Sequence, residues 1–199
     1  MTQEQPLIVF DCDYTLWPFD CGKELIAPFI PQGNRVVDRW WRLANPYPEV
    51  RAIFEYIHEH KMSFAIASRN PSADSIRQLL YAIKIKDTNI WDMLPAGCFH
   101  AYSSGGAKGK TAHFARISQA TGRPLSDMLF FDDLSENIEV ALRQGVTCVQ
   151  ILPRIGLTMS AFMWGLDRFS KKKAAQKIEA ATPIEESPPN EVQASVSEG

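Results

Sequence analysis

The chain has 199 residues, 45% of them hydrophobic and 22% charged, with a formal net charge of −2. That composition excludes wholesale disorder and gives enough length to bury one core without disulfides or metal staples. The faint negative balance argues against a nucleic-acid binder, and no apolar run approaches the length of a membrane span.

In chain order, residues 7–10 (Leu-Ile-Val-Phe) form a short apolar run that predicts a strand ending on Asp11. Residues 17–47 hold three of the five tryptophans and four prolines, with no long periodic stripe. They are too few for a separate cap domain, so a flap or irregular hairpin over the strand edge is expected. Val50, Ile53, Phe54 and Ile57 follow helical spacing, and a second strand over 63–67 ends on Ser68. Ile76, Leu79, Leu80 and Ile83 predict a second helix, after which residues 84–91 read as an insertion. Residues 98–102 suit a third strand, and Lys110 opens another helix. A fourth strand over 128–131 runs into Asp132-Asp133. A helix through Ile138, Ala141 and Leu142 follows, with Ser135 as its N-cap and Gly145 as its stop. Residues 146–152 make a fifth strand, and Met159, Phe162, Met163 and Leu166 make the last helix. From Ser170 onward there is no aromatic residue, and three prolines stand among many charges. A single domain over 1–169, with 17–47 as its flap, and a disordered tail over 170–199 is the expected division.

Continuous apolar strands suit a parallel sheet covered on both faces. Their alternation with helices implies an α/β fold, a three-layer Rossmann-like sandwich around a mostly parallel five-stranded sheet. In such sheets ligands bind outside the carboxyl ends of the strands, where three of these strands stop on a polar or acidic residue. The four cysteines, at 12, 21, 98 and 148, form no Cys-x-x-Cys pair and fit a reducing compartment. No secretory leader is visible, so an intracellular, cytoplasmic protein is expected.

The chemistry concentrates at those strand ends. Asp11-Cys12-Asp13-Tyr14-Thr15 places two carboxylates two residues apart where a buried strand stops. One carboxylate can attack phosphorus while the other protonates the leaving oxygen and later activates water. Mg²⁺ would let the two anions meet. The same pair could instead cap the following loop. Asp132-Asp133 repel each other and so call for a cation, a hard metal being the natural one, although charge at a helix start would also explain them. Ser68, Arg69 and Lys110 could hold phosphate oxygens, while each alone also reads as a turn residue or a solvated charge.

Asp-x-Asp-x-Thr, Ser, Lys and Asp-Asp, in that order at successive strand ends, resemble the haloacid dehalogenase superfamily of phosphatases. The words Phe-Asp-Cys-Asp-Tyr-Thr-Leu-Trp-Pro-Phe at 10–19, Tyr-Pro-Glu-Val at 47–50, Ala-Ser-Arg at 67–69 and Phe-Phe-Asp-Asp at 130–133 look like the magnesium-dependent phosphatase-1 family. That resemblance implies a small insert in place of a cap. It makes Asp11 the nucleophile that becomes an aspartyl phosphate and Asp13 the general acid and base. Asp133 would bind Mg²⁺ with Asp11 and the backbone carbonyl of Asp13, with Asp132 supporting from behind or through water. Ser68, Arg69, Lys110 and the backbone N–H groups after Asp11, beginning at Cys12, would hold the phosphate. The implied partner is a phosphorylated small molecule or protein: an aryl phosphate, phosphotyrosine or a sugar-phosphate-modified protein at an open, aromatic-rimmed site. A serine-directed phosphatase and a silent phosphate-binding module are the rival readings. The glycine-containing loop over 105–110 also offers Lys108 as an alternative to Lys110.

Overall fold

The apolar runs become the centre of the molecule because each strand has an inward side chain for both faces. A computed structural model describes residues 5–103 and 109–181. In chain order its elements are β1 (Leu7–Phe10), β2 (Ile30–Gln32), β3 (Arg35–Val37), α1 (Val50–Glu59), β4 (Phe64–Ser68), α2 (Ala73–Ala82), β5 (Lys84–Ile85) and β6 (Thr88–Asn89). There follow β7 (Phe99–Ala101), α3 (Thr111–Thr121), β8 (Met128–Asp132), α4 (Ser135–Arg143), β9 (Thr147–Gln150) and α5 (Met159–Ala181). The five expected strands form one sheet in the order β7-β4-β1-β8-β9, and every neighbouring pair is parallel.

Alternation along the strands divides the core in two. Ile8, Phe10, Ile66 and Phe131 face one cluster together with Phe54 of α1, Leu79 of α2 and Phe162 of α5. Leu7, Val9, Ala67 and Phe130 face the other with Phe114 of α3 and Ile138 of α4. Phe10 anchors the first cluster, its ring 5.3 Å from Phe54 and 5.5 Å from Phe131. The predicted stripes of α1 and α2 are buried. In α4, Leu142 turns to solvent, and the cap is Leu134 in place of Ser135 because the Asp132 carboxylate takes the Leu134 N–H.

Three segments refine the expectation. The flap holds an antiparallel hairpin, β2–β3, and Phe29 and Val36 are buried in the core cluster that α1 and α2 share. The insertion is a second, two-residue hairpin, β5–β6, and Arg51 ties both together by donating to the carbonyls of Lys84 and Asn34. The tail expected to be disordered from 170 instead continues α5 to residue 181. Its run of lysine and alanine is strongly helix-forming. Phe169 is buried, and the Lys172 and Lys173 ammonium groups reach the Gly145 carbonyl and Asp127. The remainder of the expected tail lies outside the described residues. Among the described residues no helix is long and apolar enough to cross a membrane.

One close approach fixes the loop after β9. Gly156 has φ +75°, and a Cβ built there would lie 2.0 Å from the Tyr47 ring. That ring is buried, and its hydroxyl donates to the Pro153 carbonyl, so it cannot swing aside cheaply. Gly156→Ala is therefore expected to destabilise by about 3 kcal/mol, combining a clash with a left-handed backbone. For a chain this long that lowers Tm by roughly 6–12 °C, read by thermal melting. An unchanged Tm would show that the loop yields.

Candidate active site

Because β4, β1 and β8 are adjacent and parallel, their carboxyl ends bring Ser68, Asp11 and Asp132 to one edge. A cavity of about 580 Å³ opens there, and Asp11, Asp13, Ser68, Arg69, Lys110 and Asp133 all line it. Cys12 and Asp132 do not, and for Asp132 a place behind the pocket is what the resemblance implies. Cys12, one step beyond Asp11, turns the other way into the core, where burial pushes its thiol well up. Its side chain has no place in the pocket. Asp132 is fully buried beneath it.

Lys110 stands at the start of α3, wholly buried. Its ammonium donates to Asp11 Oδ1 and lies 2.7 Å from Asp132 Oδ2. Burial opposes its charge, yet the two carboxylates outweigh that and hold its pKa above the ordinary value. Burial likewise pushes the Asp11 carboxyl up, against the pull of Lys110. Lys108 lies outside the described residues.

Asp11, Asp132 and Asp133 each bring a carboxylate oxygen within 4.8 Å of the others. Asp132 is already engaged: it accepts from the Leu134 N–H at 2.8 Å and from Asn137 Nδ2 at 2.9 Å as well as from Lys110. Of these three, that leaves Asp11 and Asp133 facing the cavity. Burial, then repulsion by Asp132, pushes Asp133 up to about 6. Oxygen-only donors of this kind fit a hard cation such as Mg²⁺, and no histidine or thiol joins the cluster.

Asp13 is held on the flap side. Its Oδ1 accepts from Trp17 Nε1 at 2.8 Å and the Cys21 N–H at 3.0 Å, and its Oδ2 from Asn70 Nδ2 at 2.7 Å. Burial raises its pKa even against these hydrogen bonds. Asn70 was not singled out from the chain. Its only signal was its place directly after Ser68-Arg69, where a carboxamide reads as a loop residue. His113 of α3 holds the Ser68 carbonyl by donating from Nε2 at 2.8 Å. The expected aromatic rim is absent among the described residues: Tyr14 is the one aromatic in the lining, beside Asp20, Lys23 and Glu136.

Comparison with known proteins agrees with this geometry. The Acid Phosphatase family model matches residues 4–172. Magnesium-dependent phosphatase 1 of Homo sapiens is 33% identical over 189 residues, covering 94% of this chain and 98% of that protein. A HAD-like hydrolase superfamily protein of Schizosaccharomyces pombe is 30% identical over 159 residues, 78% of this chain and 91% of that one. Two solved structures share the fold at 12% identity. One is an N-terminal part of a Bacteroides fragilis protein that contains a phosphatase domain complexed with Mg (TM-score 0.59, 84% of this chain and 41% of that one). The other is a family IA HAD hydrolase of Entamoeba histolytica (TM-score 0.54, 83% and 99%). The order of acids, serine and lysine along the strand ends, a family model spanning most of the chain and a relative matched almost end to end have one reading: the chain belongs to the acid phosphatase family of haloacid dehalogenase-like hydrolases.

Proposed function

We propose that this chain is a Mg²⁺-dependent phosphomonoester hydrolase that works through a phosphorylated Asp11. The observation that carries the reading is the buried ammonium of Lys110 on Asp11, at the floor of a cavity that Asp133 also lines. Lys110 fixes the Asp11 carboxylate in one orientation and offsets part of its charge as an anionic substrate approaches. Ser68 and Arg69, where β4 ends, line the same cavity and would hold phosphate oxygens. Asp11 forms a bond to phosphorus as the ester oxygen leaves, and that oxygen takes the proton of Asp13. Asp13 then accepts a proton from water as water attacks the phosphorylated Asp11, which frees phosphate. A carboxyl whose pKa burial has raised suits both halves of that exchange. Asp11, Asp133 and the Asp13 carbonyl would hold Mg²⁺, which supplies the positive charge that lets two anions meet.

The cavity is larger than a phosphate group needs, which supports leaving groups of aryl or sugar size, including phosphotyrosine and sugar-phosphate adducts on protein. Phosphate release from p-nitrophenyl phosphate tests the reaction. Excess chelator should abolish it, Mg²⁺ restore it and Ca²⁺ inhibit, since the larger ion takes more oxygen ligands. Full turnover in chelator would remove the metal from the reading.

Asp133→Asn gives a readout independent of turnover. Folding raises the Asp133 pKa from 3.8 to about 6, so ionising it disfavours the metal-free fold. That penalty is absent below about pH 4 and complete above pH 6. Asp133→Asn should therefore raise the metal-free Tm by a few degrees at pH 8 and leave it unchanged at pH 4. It should also erase the rise in Tm that Mg²⁺ gives the parent protein. A Mg²⁺ response equal to the parent's would exclude Asp133 as a ligand.

A further inference from the structure

The flap carries a feature that neither the fold nor the reaction uses. After β3 the chain reads Asp38-Arg39-Trp40-Trp41-Arg42-Leu43, closed into a turn by a bridge between Val37 and Leu43. Turns in water favour Gly, Asn, Asp and Ser. Here Trp40, Trp41 and Leu43 are 58%, 68% and 58% exposed. Trp41 has φ +63°, a conformation that a bulky residue adopts only when its surroundings impose it. Asp38 imposes it. Fully buried, its carboxylate accepts from the Trp40 N–H at 2.9 Å, the Arg42 N–H at 3.0 Å and Arg42 Nε at 2.9 Å.

The chemistry presented is specific. The Arg39 and Arg42 guanidinium groups flank the Trp40 ring, 5.3 and 4.9 Å from its centroid. Arg42 is occupied by Asp38 and by the Glu24 carbonyl at 2.8 Å, whereas Arg39 has no ion pair among the described residues. A guanidinium that stacks on an exposed indole and has no carboxylate partner among the described residues suits a carboxylate next to an apolar side chain. Trp and Arg dominate binding energy at protein interfaces, and a pinned turn loses little freedom on contact. The turn also continues into the pocket rim. The Arg39 N–H donates to the Ile26 carbonyl at 3.2 Å. Arg42 holds Glu24, whose carboxylate takes the Tyr14 hydroxyl, and Tyr14 and Lys23 line the cavity.

We propose that this turn is a docking platform for an acidic, apolar segment of a phosphoprotein substrate, bound beside the phosphate pocket. The proposal rests on the phosphatase reading above and adds to it a class of substrate. An anionic membrane is the less favoured occupant, because the flap holds four basic residues against three acidic ones, too weak a charge for a lipid surface.

Three probes test it with the full chain and Mg²⁺: p-nitrophenyl phosphate, a phosphotyrosyl peptide flanked on both sides by Glu-Glu-Leu, and the same peptide flanked by Ser-Gly-Ser. The acidic peptide should show a kcat/KM about tenfold above the Ser-Gly-Ser peptide, carried by KM. The pair Arg39→Ala and Trp41→Gly should bring the two peptides level and leave p-nitrophenyl phosphate within about twofold of the parent. Glycine is at ease at φ +63°, so this variant should fold at least as well as the parent. Equal kcat/KM for the two peptides with the parent enzyme would overturn the proposal. So would an equal loss on all three probes, which would make the turn a brace for the pocket. A variant that keeps its peptide preference but no longer sediments with phosphatidylserine vesicles would assign the turn to membranes instead. No turnover of p-nitrophenyl phosphate by the parent would sink the phosphatase reading itself, and the docking proposal with it.

Discussion

Asp11→Asn should leave a folded protein with less than about 1% of the parent kcat. The amide is nearly the shape of the carboxylate but has no anionic oxygen to attack phosphorus. The fold should tolerate the change for an electrostatic reason. Burial already disfavours the charged form of Asp11, and Lys110 keeps Asp132 as a partner 2.7 Å away when Asp11 becomes neutral. The metal-free Tm should therefore stay close to the parent's or rise, while the Mg²⁺-dependent increase shrinks because a neutral amide replaces an anionic carboxylate in the proposed ligand set. The two measurements together separate a lost nucleophile from a lost fold. Turnover well above that level, in a preparation free of contaminating phosphatase, would remove Asp11 from the attacking role.

Much of the sheet was legible in the chain because its strands are buried on both faces. Leu7 and Val9 serve one cluster while Ile8 and Phe10 serve the other, so the run is apolar without alternation. The candidate site was legible as an ordered series, since Asp11, Ser68 and Asp132-Asp133 stand where β1, β4 and β8 end, while Lys110 opens α3. Residue type alone does not disclose direction, and only the family resemblance set Asp133 on the metal and Asp132 behind it. Asp132 and Asp133 are identical in type and adjacent, yet one lies under the pocket bound to Lys110 and Asn137 while the other faces the cavity. The flap tryptophans do not make the expected aromatic rim: Trp17 is buried in the core, and Trp40 and Trp41 stand in solvent on their own turn. The lysine-rich stretch after Phe169 had the composition of a solvated tail and of a helix alike. Tertiary contacts through Lys172 and Lys173 decide for helix.

Lys110→Ala should damage rate and stability together, which marks a buried cation and not a surface one. Its ammonium is the shared partner of two acids, one fully buried and the other nearly so. Removing it leaves both carboxylates unpaired in a medium of low dielectric, a loss of about 3–5 kcal/mol. The same cation would stabilise charge on the transferring phosphoryl group, and losing one such contact typically lowers the rate about a hundredfold. The two effects come apart in a double variant. Lys110→Met with Asp132→Asn replaces the inner ion pair by groups of similar shape, so Tm should return most of the way while kcat/KM stays low. Recovery of activity along with Tm would mean that Lys110 serves the fold alone. Lys108→Ala should change kcat/KM by less than about threefold. A Lys110→Ala protein that kept both Tm and rate, with Lys108→Ala losing them, would move the ion pair two residues back along the chain.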